Sequence, residues 1–146
     1  FIDLLTFWLG DIVNYKMISI SSDLELDDPE PDFFIEFENG SVTFQSGWEK
    51  YFSHYTIELL SASGRLRYDD GGSRISWQGL RTDPDFAGYT ILDENHMPIA
   101  NSMFRYQLNI TNMLSDYFDK KTTSLTSGFE SLKVLEVLNK LKNLKC

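Results

Sequence analysis

Three groups of side chains in this chain could carry chemistry. The stretch between Asp23 and Asp32 gathers carboxylates, which Ca²⁺ prefers as ligands, but it lacks the regular spacing and central glycine of an EF-hand loop. The run DDGG at residues 69–72 fits a metal-binding turn or an ordinary tight turn, because tight turns also favour Asp and Gly. Two histidines, His54 and His96, have no partner at metal-ligand spacing. Each group therefore has a structural explanation beside the chemical one, and for the acidic stretch this is a solvated surface loop.

The common catalytic motifs are missing from the sequence. No serine lies in a Gly-x-Ser-x-Gly elbow. There is also no Walker loop and no Gly-x-Gly-x-x-Gly fingerprint. The residues alone therefore predict no complete catalytic constellation, and a structural or interaction domain is the default expectation.

Composition and charge exclude several classes of function. The 146 residues are 42% apolar and 14% aromatic, which suits one domain with its own core. Acidic residues outnumber basic ones by 22 to 13, and a net charge of −9 repels nucleic acid and anionic membranes. The single cysteine, Cys146, cannot form an internal disulfide or a zinc site. We expect a cytoplasmic protein, because no apolar run of 18 residues and no signal peptide are present.

The elements that must position these residues follow from the apolar periodicity. Apolar residues crowd positions 1–9 before Gly10, which predicts the last turns of a buried helix whose beginning is missing, and hence a piece of a longer protein. Alternating runs on both sides of Asn39-Gly40 predict a hairpin. Further strands are predicted at residues 12–20, 55–59, 66–68, 75–77 and 89–92, with a loop at 81–88.

The last third of the chain changes to a helical period. One helical stripe holds Met103, Gln107, Ile110, Leu114 and Tyr117. Ser127 and Glu130 have the spacing of a capping box, which predicts a second helix running to the C-terminus. The pattern as a whole predicts a single α+β domain over residues 1–146. We expect an open, mostly antiparallel mixed sheet with helices packed on one face.

Three local patterns together resemble the C-terminal domain of the Gfo/Idh/MocA family of NAD(P)-dependent oxidoreductases. Residues 1–12, FIDLLTFWLGDI, are similar to the family's helix followed by Gly-Asp/Glu-Ile/Val. Residues 58–66, ELLSASGRL, are similar to its strand-turn-strand with a small residue and a glycine three apart. Residues 126–137, TSGFESLKVLEV, resemble its closing helix. The order and spacing of the three patterns cover nearly the whole chain.

The resemblance implies a larger parent protein with two domains. A Rossmann domain would precede this chain and hold NAD or NADP on its glycine-rich loop. Proton transfer would use a lysine of that domain and a histidine that would stand immediately before Phe1. The present domain would supply part of a sugar pocket and the oligomer interface. We therefore expect a sugar-type small-molecule substrate in the parent and no cofactor in this chain.

The resemblance also indicates three site residues. Asp3 remains of the junction motif, where it would orient the histidine or a sugar hydroxyl; a helix-dipole carboxylate is the open alternative. Tyr51 and His54 lie where the chain enters the strand at Glu58, which often faces the sugar in relatives, and both could bind a hydroxyl. Ordinary strand residues are the alternative for this pair.

The leading hypothesis is therefore the substrate-binding and oligomerisation domain of an oxidoreductase acting on a sugar, cyclitol or nucleotide-sugar. A non-catalytic module that dimerises through its sheet is the alternative. Both predict a homo-oligomer. The helices cover one face of the sheet, while residues 33–37, FFIEF, place an aromatic ring on each side.

Overall fold

The computed structural model of this chain describes residues 1–20, 31–47 and 51–143, in which one helix is followed by antiparallel strands and then by two further helices. The predicted α+β class is confirmed. The helices are α1 (Ile2–Leu9), α2 (Tyr106–Lys120) and α3 (Gly128–Asn143). The strands are β1 (Ile12–Ile20), β2 (Pro31–Phe37), β3 (Gly40–Phe44), β4 (Ile57–Ser61), β5 (Gly64–Asp69), β6 (Arg74–Gln78), β7 (Leu80–Thr82), β8 (Thr90–Leu92) and β9 (Met97–Pro98).

The chain divides into two compact units. The first unit comprises Phe1–Trp48 and Ser124–Cys146, and the second comprises Glu49–Thr123. The strands of the described residues form three open sheets, in the orders β1-β2-β3, β4-β5-β6-β9 and β7-β8, where the sequence analysis expects one. Every strand pair is antiparallel. The assignment of residues 1–146 to one domain stays a prediction.

The core of the first unit lies on one face of its sheet. Alternate residues of β2 point to the same side, because side chains in a strand repeat every second residue. The helix α3 packs against α1 and β1. The buried apolar side chains of this unit are Ile2, Leu5, Phe33, Ile35, Phe37 and Leu141.

The opposite face of this sheet is mainly polar where the strands pair regularly. Phe34 is half-buried there, and Val13 and Ile18, at the irregular positions of β1, are exposed. In the strand register, Glu36 stands between Asn14 and Ser41, while Phe34 stands between Lys16 and Thr43.

The end of α1 is fixed by the hairpin between β2 and β3. Gly10 follows the last helical residue with φ +86°, as predicted for this glycine. Glu38 and Asn39 connect the two strands, so the hairpin is confirmed with its turn one residue earlier than Asn39-Gly40. The backbone N and Nδ2 of Asn39 donate to the carbonyl of Leu9 at 2.9 and 3.2 Å. The turn therefore satisfies a helix-end carbonyl that has no partner within the helix.

The side chain of Asp32 links β1 to the residues that follow β3. Its Oδ2 accepts a hydrogen bond from Ser19 Oγ at 2.8 Å, and its Oδ1 accepts from Ser46 N at 2.7 Å and Ser46 Oγ at 2.8 Å. These bonds, led by the one from the Ser46 backbone, lower the pKa of Asp32 against a smaller effect of burial. The rest of the acidic stretch, residues 23–30, lies outside the described residues, and so does the cation site considered there.

The second unit is built on the four-stranded sheet. Ile57, Tyr68 and Ile75 pair across three strands, and Leu59, Leu66 and Trp77 pair beside them, which gives one apolar face. Two predictions were wrong here. Arg81 and Thr82 belong to β7 rather than to a loop, and β9 is an additional short strand.

The helix α2 forms where its stripe predicts it. A 3-10 turn at Met103–Arg105 precedes it. The residue that caps its C-terminal end, Lys121, has φ +60°. No residue of α2 is buried. No helix in the described ranges is long and apolar enough to cross a membrane.

Candidate functional site

An aromatic segment, residues 51–56, leads into β4 and contains two of the three predicted site residues. Three of its rings are exposed: Tyr51 by 70%, Phe52 by 59% and Tyr55 by 47%. The segment has no regular secondary structure, so Tyr51 and His54 precede the strand and do not lie in it. A hydrogen bond from the backbone N of Gly71 to the carbonyl of Tyr55, at 3.3 Å, joins the segment to the turn after β5.

His54 is connected to a chain of polar side chains. Its Nε2 lies 3.3 Å from Thr56 Oγ1, and Thr56 Oγ1 lies 3.2 Å from Asp69 Oδ1. Both distances are at the long end of the hydrogen-bond range. The same oxygen of Asp69 accepts a hydrogen bond from Arg67 Nη2 at 3.0 Å. We call these four residues, His54, Thr56, Asp69 and Arg67, the polar chain.

The carboxyl of Asp69 is held in its ionised form. Burial raises its pKa, but hydrogen bonds from Arg67 and Thr56 and the positive charges of Arg67 and Arg74 together outweigh burial. The net result is a pKa below the ordinary aspartate value. Asp69 therefore acts only as a hydrogen-bond acceptor near neutral pH.

The run at residues 69–72 forms a turn between β5 and β6. Asp70, Gly71 and Gly72 all have positive φ, at 51°, 62° and 95°, and glycine tolerates such angles best. The two carboxylates are engaged by cationic side chains, since Asp70 Oδ2 lies 2.7 Å from Arg74 Nε. Within the described part of the chain, no group of three or more His, Cys, Asp or Glu residues could hold a metal ion. The turn interpretation thus accounts for these residues.

Further polar contacts continue along the same face of the four-stranded sheet. Arg65 Nη1 lies 3.2 Å from Glu58 Oε1, and Arg65 Nε donates to Gln78 Oε1 at 3.0 Å. Gln78 is buried, and its Nε2 donates to the carbonyl of Asp93. The Nε atom of Arg67 is also buried, and it has no hydrogen-bond partner among the described residues.

Asp3 belongs to a different unit from the polar chain. It lies half-buried in the first turn of α1, in the first unit, whereas Tyr51 and His54 belong to the second unit. The position of Asp3 in the first helical turn agrees with the helix-dipole alternative. Its substrate role stays a prediction.

Thr56 and Arg67 were not predicted as site residues, and Asp69 was considered only as part of a metal-binding or tight turn. A signal for the pairing of Thr56 with Asp69 is present in the strand-turn-strand pattern. A two-residue connection at 62–63 pairs Ser61 with Gly64, and this register places position 56 opposite position 69. The pairing of positions 56 and 69 can therefore be predicted from the turn when the strand register is extended beyond it.

Comparisons with protein-family models, with curated proteins and with solved structures find no match to this chain.

Proposed function

We propose that this chain is the substrate-binding and oligomerisation domain of an NAD(P)-dependent oxidoreductase that acts on a sugar, cyclitol or nucleotide-sugar in the cytoplasm. The support from sequence is the resemblance of residues 1–12, 58–66 and 126–137 to the Gfo/Idh/MocA pattern. The nicotinamide cofactor would be held by a preceding Rossmann domain, so no residue of this chain is assigned to it.

The observation that carries the proposal is the polar chain beside exposed aromatic rings. A sugar or cyclitol has apolar C–H faces, which suit Tyr51 and Phe52, and hydroxyls that both donate and accept hydrogen bonds. Ligand sites of this kind combine aromatic walls with a few placed polar groups. His54 supplies such a group, because it is exposed and joined to a half-buried network.

In the parent enzyme this chain would bind and orient the substrate. The cofactor supplies the hydride chemistry when it is bound. Tyr51 and His54 would hold hydroxyls away from the reacting carbon, and Asp3 would act at the junction with the preceding domain. Binding energy from such contacts lowers the barrier only when it positions the reacting groups.

The proposal can be tested on the 146-residue chain by NMR titration with D-glucose, myo-inositol and UDP-glucose, and with NADH. We expect saturable shifts of the His54 ring with at least one polyol and none with NADH. Tyr51→Ala should abolish the response of the His54 ring, and His54→Ala should abolish the saturable polyol shifts of the backbone amides of residues 51–56. His96→Ala, which changes an exposed histidine outside the segment, is the matched control. Binding of NADH at micromolar affinity, or no response to all three polyols, contradicts the proposal.

A further inference from the structure

The single hydrogen of the Thr56 hydroxyl can be assigned from its two neighbours. The ionised Asp69 has no hydrogen to donate, so the bond between Thr56 Oγ1 and Asp69 Oδ1 uses the hydroxyl hydrogen. Thr56 Oγ1 can then only accept from its other neighbour, His54 Nε2 at 3.3 Å. Nε2 must therefore carry the hydrogen. In the neutral ring this leaves Nδ1 as a hydrogen-bond acceptor.

We propose that Thr56 and Asp69 are positioning residues for His54, which hold its Nε2–H against the sheet and present Nδ1 to a hydroxyl of the ligand. The identity of the ligand as a polyol rests on the proposed function, whereas the orientation of the ring does not. The positioned Nδ1 selects the chemical class of the bound group. A sugar hydroxyl can donate to it, but an ionised phosphate or carboxylate oxygen cannot.

Three contacts support a fixed ring rather than a freely rotating one. Phe52 approaches the His54 ring at 6.5 Å between centroids, with the planes at 64°. The bond from Gly71 N to the Tyr55 carbonyl holds the backbone between His54 and Thr56. Arg67 fixes the receiving carboxylate of Asp69 from the other side. A base oriented by a second group, itself oriented by a third, is the arrangement by which proteins set a histidine tautomer.

The orientation can be measured on the 146-residue chain labelled with ¹⁵N in its histidine rings. The spectra should be taken at about pH 8.5, well above the pKa of a histidine in a model peptide. Ring ¹⁵N shifts then report the two tautomers, with the exposed His96 as an internal reference. We expect His54 to lie closer to the pure Nε2–H form than His96 does.

Thr56 variants separate a positioning role from a structural one. Thr56→Val keeps the shape of the side chain but removes the hydroxyl, so the tautomer ratio of His54 should fall to that of His96. Thr56→Ser should restore the bias, and Asp69→Asn should weaken it. Equal ratios at His54 and His96 in the native chain, or an unchanged ratio in Thr56→Val, would overturn the inference.

Addition of myo-inositol distinguishes this inference from the proposed function. We expect the Nδ1 resonance of His54 to shift and Nε2 to stay, because only Nδ1 faces the ligand. A tautomer bias without any Nδ1 response to myo-inositol, D-glucose or UDP-glucose would uphold the positioning role of Thr56 and overturn the polyol ligand.

Discussion

Asp3 is a carboxylate in the first turn of a helix, a position that can serve either the fold or a substrate. The helix macrodipole favours a negative charge there, and that interaction is worth about 0.3–1 kcal/mol. A carboxylate in contact with a substrate would instead act on the transition state. The two roles differ in what they change, so kinetics and stability separate them.

In the intact parent enzyme, we expect Asp3→Asn to lower kcat/KM at least about tenfold, some 1.4 kcal/mol, with little change in Tm. The matched control is Asp11→Asn, because Asp11 is an exposed carboxylate beyond the other end of α1. A loss of stability with unchanged kinetics would assign Asp3 to the helix dipole and remove it from the site.

Gly64 shows that a residue in a resembling motif can be explained by packing. It has φ +147°, and a Cβ at this position would overlap the Gln78 carbonyl and lie 2.7 Å from the Trp77 ring. Close approach of two strands therefore requires glycine here. The small-residue pattern at 61–64 consequently specifies the hairpin, and the chemistry depends on the residues that this hairpin brings together, Thr56 and Asp69.

At the scale of elements, the start of α3 was predictable because every contact that makes it is local. Ser127 Oγ accepts from the Glu130 backbone N at 3.2 Å. Glu130 Oε2 in turn accepts from Ser127 N at 2.7 Å and from Ser127 Oγ at 2.6 Å. This is the predicted capping box. The bonds from Ser127, its side chain first, hold the pKa of Glu130 below the ordinary glutamate value.

We expect Ser127→Ala to reduce the free energy of unfolding by about 1 kcal/mol at neutral pH, because the backbone N–H of Glu130 loses its acceptor, Ser127 Oγ. The matched control is Ser131→Ala, which changes an exposed serine one turn later in α3. It should be neutral or slightly stabilising. A lowered folded-state pKa means that the contribution of Glu130 is present above its unfolded pKa and lost as pH falls through the folded value. Urea unfolding at neutral and acidic pH should thus give a smaller difference in acid, and a difference that grows in acid would contradict this.

Elements that depend on distant partners were harder to predict. The strand β7 has three residues, too few for alternation to be detected, and it is defined by its pairing with β8. The strand β9 has two residues, one of them Pro98, and exists because β6 offers an edge. The helices, the hairpin at Glu38 and Asn39 and the turn at 69–72 arise from local sequence. The sequence predicted these, whereas the division of the strands into three sheets depends on contacts between distant segments.

The candidate site likewise contains residues that can be singled out from the sequence and residues that depend on strand pairing. Tyr51 and His54 were chosen by resemblance, and their role as ligand residues stays a prediction. Thr56 is two residues from His54, but Asp69 and Arg67 enter the polar chain only through the β4–β5 register. A histidine has no visible partner in a sequence until strand pairing is known. His54 could therefore be singled out from the sequence, whereas the network of residues around it could not be predicted.

For the whole molecule, much of the exposed apolar surface lies away from the sheet face through which dimerisation is predicted. On the outer face of the first sheet, Phe34 and Glu36 pair with polar residues, and the polar face of the four-stranded sheet carries ion pairs. Large apolar side chains are exposed elsewhere, as single residues on strands and as a stripe on α2. Exposed apolar area of this kind commonly marks an interface. The predicted association through the sheet therefore competes with association through the helix.

We predict that the chain forms a homodimer through its four-stranded sheet despite its charge of −9. Light scattering at tens of micromolar protein should give twice the 16.9 kDa chain mass. Leu60→Lys on the edge strand β4 should lower that mass, whereas Leu108→Lys on α2 should leave it unchanged.

Both side chains are more than half exposed, 73% and 54%, so neither substitution should cost the fold much. Each variant adds the same positive charge to an acidic protein, so general electrostatics cancels in the comparison. A monomeric mass for the native chain would contradict dimerisation, and a loss of mass only in Leu108→Lys would move the interface from the sheet to α2.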